Sequence, residues 1–145
     1  MMPQETPFDL RDFMPYLLNQ AADASSRGFQ GYYKRKYGML RTEWRVLFHL
    51  GRYGDMTARE VCDRAGIHKT KVSRAVAALD AKRLVRREAV AQDRRHEILH
   101  LTEQGRRVFA DLTQEAQRFD AVMLAECNAA EIAQMRAFLT RIAGL

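Results

Sequence analysis

Apolar positions recur every three or four residues through most of the chain, the spacing of helices that bury one face. A short apolar turn of Phe8, Leu10 and Phe13 leads into a first helix that begins near Pro15, whose missing N–H and preset φ suit the first helical position. Leu17, Leu18, Ala21, Ala24 and, beyond Gly28, Phe29 and Tyr33 carry this helix to the basic run Lys34-Arg35-Lys36, and Tyr37-Gly38 breaks it. A second helix opens at Thr42, is apolar on much of its circumference through Trp44, Val46, Leu47, Phe48 and Leu50, and closes between Gly51 and Gly54. Thr57 and Glu60 stand at capping-box spacing and start a short third helix that stops at Gly66. A fourth, from about His68 to Arg83, places Val72, Ala75, Val76 and Leu79 on one face. Thr70, Ser73, Arg74 and Ala77 fall on the opposite face, with Lys69 and Lys71 beside them.

From Leu84 the pattern changes. Residues 84–90 and 96–101 predict two short strands around a polar tip at 91–95, a β-hairpin. Thr102 then caps a long fifth helix with Val108, Phe109, Leu112, Ala116, Phe119 and Met123 at helical spacing. Asn128 and Glu131 form a second capping box, opening a last helix with Ile132, Met135, Leu139 and Ile142. The predicted fold is mainly α with a small β-hairpin wing, in the order of four helices, hairpin and two helices. Two short helices joined at a glycine turn, the second polar and basic on its outer face, make a helix-turn-helix, with Cys62 as the small residue where they cross. One continuous domain is expected: arm and dimerisation helix over 1–36, winged helix-turn-helix over 37–102, and dimerisation helices over 103–145. The arm from Met1 to Thr6 is expected to be unordered.

Charge sharpens this picture by its location. The chain carries a net +6. Residues 68–107 hold eleven Lys and Arg against five acids, and the rest of the chain holds thirteen of each sign. A positive field confined to the helix-turn-helix and wing is the footprint of a polyanion binder. Cys62 and Cys127 stand far apart without metal or redox spacing, which suits a reducing compartment. MMPQETPFDLRD lacks the pattern of a signal peptide and nothing spans a membrane, so a cytoplasmic protein is expected. His96 and His100 stand about 13 Å apart on a strand, too far for one metal site. With no nucleophile and base pair, phosphate loop or metal box, neither an enzyme nor a cofactor is expected.

A helix in the major groove must offer base edges small polar and basic side chains that let its backbone approach, and Lys69, Thr70, Lys71, Ser73 and Arg74 meet that need. Arg94 and Arg95 at the wing tip suit the negative potential of a minor groove. Asp93, a poor neighbour for phosphate, is assigned to holding the tip by pairing with an arginine. Taken singly, each of these residues also fits an ordinary solvated face or a plain turn. The two competing readings are an architectural DNA binder without sequence preference or ligand response, and a winged helix used as a protein interaction module.

The run from Asp93 to Thr102, DRRHEILHLT, fits the pattern D-x-R-x5-L-T with Gly105 following, and in this it resembles the MarR family of bacterial regulators. Tyr37-Gly38, Glu43-Trp44-Arg45-Val46-Leu47 and Val72-Ser73-Arg74-Ala75-Val76 with Leu79 resemble that family too, and the likeness extends over about residues 10–143. It implies a triangular homodimer held by the first, fifth and sixth helices and presenting two winged helices to a pseudo-palindromic operator on double-stranded DNA. By position, the fourth helix supplies major-groove contacts, Arg95 the minor-groove contact and Asp93 its support. It also implies a repressor released by a small phenolic or carboxylate effector. The region of such a pocket contains Tyr33, Arg41, Trp44, Arg45 and Phe48, where charge beside aromatics suits an anionic aromatic ligand. The alternative is that Trp44 and Phe48 are core and the arginines solvated. Cysteine near the N-terminus, the oxidant sensor of some members, is missing here, and thiol sensing is not expected.

Overall fold

The computed structural model describes residues 6–145, except for the side chains of residues 93–95. The arm from Met1 to Thr6, expected to be unordered, lies outside the described residues apart from Thr6, as do the side-chain roles expected of Asp93, Arg94 and Arg95. A single 3₁₀ turn, Leu10–Asp12, precedes α1 (Met14–Tyr37), α2 (Arg41–Tyr53), β1 (Met56–Thr57), α3 (Ala58–Ala65) and α4 (Lys69–Ala81). The wing strands β2 (Val85–Val90) and β3 (Asp93–Leu101) follow, then α5 (Glu103–Met123) and α6 (Ala129–Ala143).

The element order matches the sequence reading except for one strand. β1 pairs antiparallel with β3, Met56 opposite Leu99 and Thr57 opposite Ile98, giving a three-stranded sheet in the order β1-β3-β2. Two residues are too short to show an alternating pattern. The wing tip is also tighter than expected: Ala91-Gln92 make the turn, and the backbone of residues 93–95 belongs to β3. A register shift at Ala89/Val90 closes the hairpin there.

Helix ends moved for identifiable reasons. α2 starts at Arg41, not Thr42, because the Glu43 carboxylate reaches back to the Leu40 N–H at 2.8 Å and satisfies that donor. The same carboxylate, buried at 3 % exposure, takes the Lys82 ammonium, so the start of α2 is tied to the end of α4. α4 stops at Ala81, two residues early, because Arg83 adopts a left-handed conformation at φ 60° and the Leu84 N–H donates back to the Leu79 carbonyl at 2.9 Å. Elsewhere the signals hold: Thr102 Oγ accepts from the Gly105 N–H at 2.9 Å, and Asn128 and Glu131 form both halves of their box.

The core gathers Val46, Leu47 and Leu50 of α2, Val61 of α3, Val72, Val76 and Leu79 of α4, Leu99 of β3, and Val108 and Leu112 of α5. α1 joins it only through its C-terminal half, where Tyr33 is buried. That half is pinned to α5 by one carboxylate. Asp111 accepts from the Tyr32 hydroxyl at 3.0 Å, the Tyr37 hydroxyl at 2.5 Å and the Lys36 ammonium at 3.0 Å. Desolvation pushes the Asp111 carboxyl up, but the bonds from Tyr37, Lys36 and Tyr32 outweigh it and hold it below its usual range. Burial, aided by the bond to Asp111, pushes Tyr37 up to about 12.

The signs of these shifts set a pH window. A depressed carboxyl contributes stability above its unfolded-state value and loses it as pH falls through the folded one. A raised phenol loses its contribution as pH rises from the ordinary tyrosine value toward about 12. Unfolding by urea is therefore expected to show a low-pH decline that is shallower in Asp111→Asn than in the parent. An identical pH profile in that variant would remove Asp111 from the account.

Candidate nucleic-acid interface

Local chemistry fixes the helix-turn-helix. Thr57 Oγ accepts from the Glu60 N–H at 3.2 Å and starts α3. Gly66, at φ 64°, turns the chain, with its N–H and that of Ile67 both donating to the Cys62 carbonyl. His68 then caps α4 through Nδ1, which accepts from the Thr70 N–H at 3.2 Å, a role the sequence reading did not assign. Val72, Val76 and Leu79 anchor α4 in the core, so Thr70, Ser73, Arg74 and Ala77 face outward and exposed as expected.

The exposed face has two flanks. Lys69, Thr70, Ser73 and Arg74 line a groove of about 890 Å³ toward α3, together with Ala58, Arg59, Cys62 and Asp63. Toward the wing, Lys69 and Ser73 share a second cavity of about 590 Å³ with Thr57, Arg87, His96 and Glu97. Lys71 does not join these four. It lies on the other flank, in a cleft of about 240 Å³ with Arg41, Thr42, Arg45 and His68. Arg59 is a residue the sequence reading missed. Its signal was present, a cation in the first turn of α3, but it lies nine residues before the basic segment 68–107.

Of the five residues considered for an effector pocket, the structure brings four to one cavity. Tyr33, Arg41, Trp44 and Arg45 line one cavity of about 270 Å³, with Ser26 and Phe29 in addition. Phe48 is not part of that lining. Its ring packs at 5.4 Å from Trp44 and 5.8 Å from Phe109, which makes it a bridge from the pocket wall to α5. Trp44 stacks on Tyr33 at 6.3 Å, and Phe29 meets both edge-on. Arg45 donates from Nη2 to the Ala65 carbonyl at 2.6 Å. Burial, and then the nearby Arg41 charge, holds its guanidinium below the usual arginine range. Burial raises the Tyr33 hydroxyl, with Arg41 opposing.

Of the histidines on β3, His100 places Nδ1 2.8 Å from Asp55 and Nε2 2.7 Å from Glu88, the second off the line of a hydrogen bond. The pair of carboxylates ties the α2–β1 connection to the wing. Among the described residues no group of three or more His, Cys, Asp or Glu is placed to hold a metal ion, and no helix is long and apolar enough to cross a membrane.

Residues 37–96, which contain the helix-turn-helix and most of the wing, match the sequence model of the MarR family. Over that segment the chain is similar to the MarR family. No curated protein matches it. Among solved structures, PcaV of Streptomyces coelicolor, determined with its natural ligand, is 25 % identical with a TM-score of 0.80, covering 96 % of this chain and 97 % of that one. BpsR of Bordetella bronchiseptica, whose DNA binding is regulated by 6-hydroxynicotinic acid, is 20 % identical with a TM-score of 0.86, covering 97 % and 99 %. A MarR/EmrR regulator of Acinetobacter sp. ADP1 is 24 % identical with a TM-score of 0.83, covering 94 % and 96 %. These likenesses are to transcription regulators, in the matched segment and in the fold as a whole. The MarR match ends within the wing, whereas the structural likeness continues through the terminal helices.

Proposed function

We propose that the protein is a homodimeric repressor that grips a pseudo-palindromic operator and lets go when an aromatic carboxylate or phenol enters the Tyr33 and Trp44 pocket. The observation that carries this reading is Arg45. Its guanidinium lines the aromatic pocket and also holds the carbonyl of Ala65, the last residue of α3 before the turn into α4. An anion that recruits this guanidinium competes with that carbonyl, and the position of α4 changes with it.

Dimerisation is supported by unburied apolar surface at the two ends of the chain. Phe8, Met14, Leu17, Val122, Leu139 and Ile142 are exposed, Val122 at 77 %, and α6 buries no residue within the chain. Apolar surface of this extent on the long terminal helices suits a second copy of the same helices. Such a dimer presents two α4 helices to half-sites about one helical turn of DNA apart.

Trp44 is the only tryptophan, so its emission reports the pocket directly. Titration with 6-hydroxynicotinic acid is expected to change that emission saturably and to release a bound duplex over the same concentrations. The protein should sediment as a two-chain particle at micromolar concentration. Release of DNA with no change in Trp44, a change in Trp44 with no release, or a one-chain particle each contradicts the proposal.

A further inference from the structure

The cleft on the α2 flank of α4 lies apart from the base-reading face and shares only Arg41 and Arg45 with the aromatic pocket. It brings Arg41 and Thr42 from the first turn of α2 against His68 and Lys71 from the start of α4, with the Arg45 guanidinium at its edge. No carboxylate lines it. Several basic side chains elsewhere are paired with an acid: Lys36 with Asp111, Lys82 with Glu43, Arg107 with Glu103 and Arg136 with Asp120. Among the described residues neither Arg41 nor Lys71 has such a partner, and both are exposed. Three cations converging without an acid keep a local positive potential that only an external anion relieves.

The helix geometry says which anion. Lys69 and Lys71 are two residues apart, about 200° around an α-helix, and so leave α4 on opposite sides. A helix with its side chains is about 10–12 Å across and fills a major groove about 12 Å wide, so a phosphate strand runs along each flank. On one flank stand Lys69 and Arg59; on the other stand Lys71 and Arg41. We propose that the Arg41, Thr42, His68 and Lys71 cleft holds a backbone phosphate of the DNA strand on the α2 side. Lys71 is then a phosphate contact and not a base reader, and Arg41 contacts DNA as well as lining the aromatic pocket. The inference rests on DNA binding alone and not on an effector.

The test is the salt dependence of duplex binding by ligand-free protein, measured by anisotropy on two unrelated duplexes. Each phosphate contact contributes about 0.9 to the slope of log affinity against log salt. Arg41→Gln and Lys71→Gln are each expected to weaken binding equally on both duplexes and to flatten the slope by about that amount. The deficit of each variant then shrinks about 3.5-fold between 50 and 200 mM salt. Arg41→Lys should keep the parent slope, and Arg35→Gln, which removes an exposed charge from α1, should leave it unchanged. Circular dichroism confirms that the variants fold. A parental slope in both Gln variants, a loss confined to one duplex, or an equal flattening in Arg35→Gln overturns the assignment.

Discussion

Replacing Gly105 by alanine destabilises the protein by about 3 kcal/mol or more, as read from urea unfolding. A Cβ at this position stands 2.1 Å from the Leu84 carbonyl oxygen and 3.0 Å from its carbon, a collision with backbone that no rotamer relieves. The carbonyl has a task of its own, accepting the Thr102 N–H at 3.0 Å. Thr102 in turn caps α5 through the Gly105 N–H and donates its hydroxyl to the Arg83 carbonyl at 2.7 Å. The methyl group therefore pushes apart the one junction where the end of α4, the root of the wing and the start of α5 meet. Gly66→Ala makes the useful contrast. Open space surrounds that site, and only the left-handed backbone at φ 64° is strained, so the cost there is about 1–2 kcal/mol. If the two substitutions cost the same, close packing at Gly105 is not what the fold requires.

Arg74→Ala is expected to have the largest effect on sequence preference. Arg74 leaves α4 from the exposed side while Val72, Ala75 and Val76, its neighbours in sequence, are buried, so truncation does not disturb the core. An arginine paired to a base edge discriminates by about 1–3 kcal/mol, up to about a hundredfold in affinity ratio. Binding to a scrambled duplex should change much less, because a phosphate strand does not depend on this side chain. Leu79→Ala is the opposite case. It empties a fully buried position and is expected to cost about 2–5 kcal/mol of stability, with binding lost only as the fold is lost.

Spacing made most of the fold legible because its signals are local. The caps at Thr57, Thr102 and Asn128 each act within three residues, and the apolar face of α4 repeats at helical intervals. What escaped depends on partners far along the chain. β1 exists because β3 offers it an edge, and two residues show no period. α4 ends at Ala81 because Arg83 takes the left-handed role without a glycine to announce it, next to Lys82, whose ammonium reaches Glu43, 39 positions away. The site divides in the same way. Lys69, Thr70, Ser73 and Arg74 share a face by helical geometry alone. Placing Lys71 beside Arg41, or turning Phe48 away from the aromatic pocket, requires knowing how α2 packs on α4 and α5.

The direct test of base reading by α4 is a competition titration comparing the intergenic duplex beside the gene with the same duplex shuffled, for the parent and for Arg74→Ala. A parent preference of about 10³-fold or more, reduced by Arg74→Ala while shuffled-duplex affinity stays nearly constant, is the expected result. Equal affinity of the parent for both duplexes, or a preference that Arg74→Ala leaves intact, contradicts it.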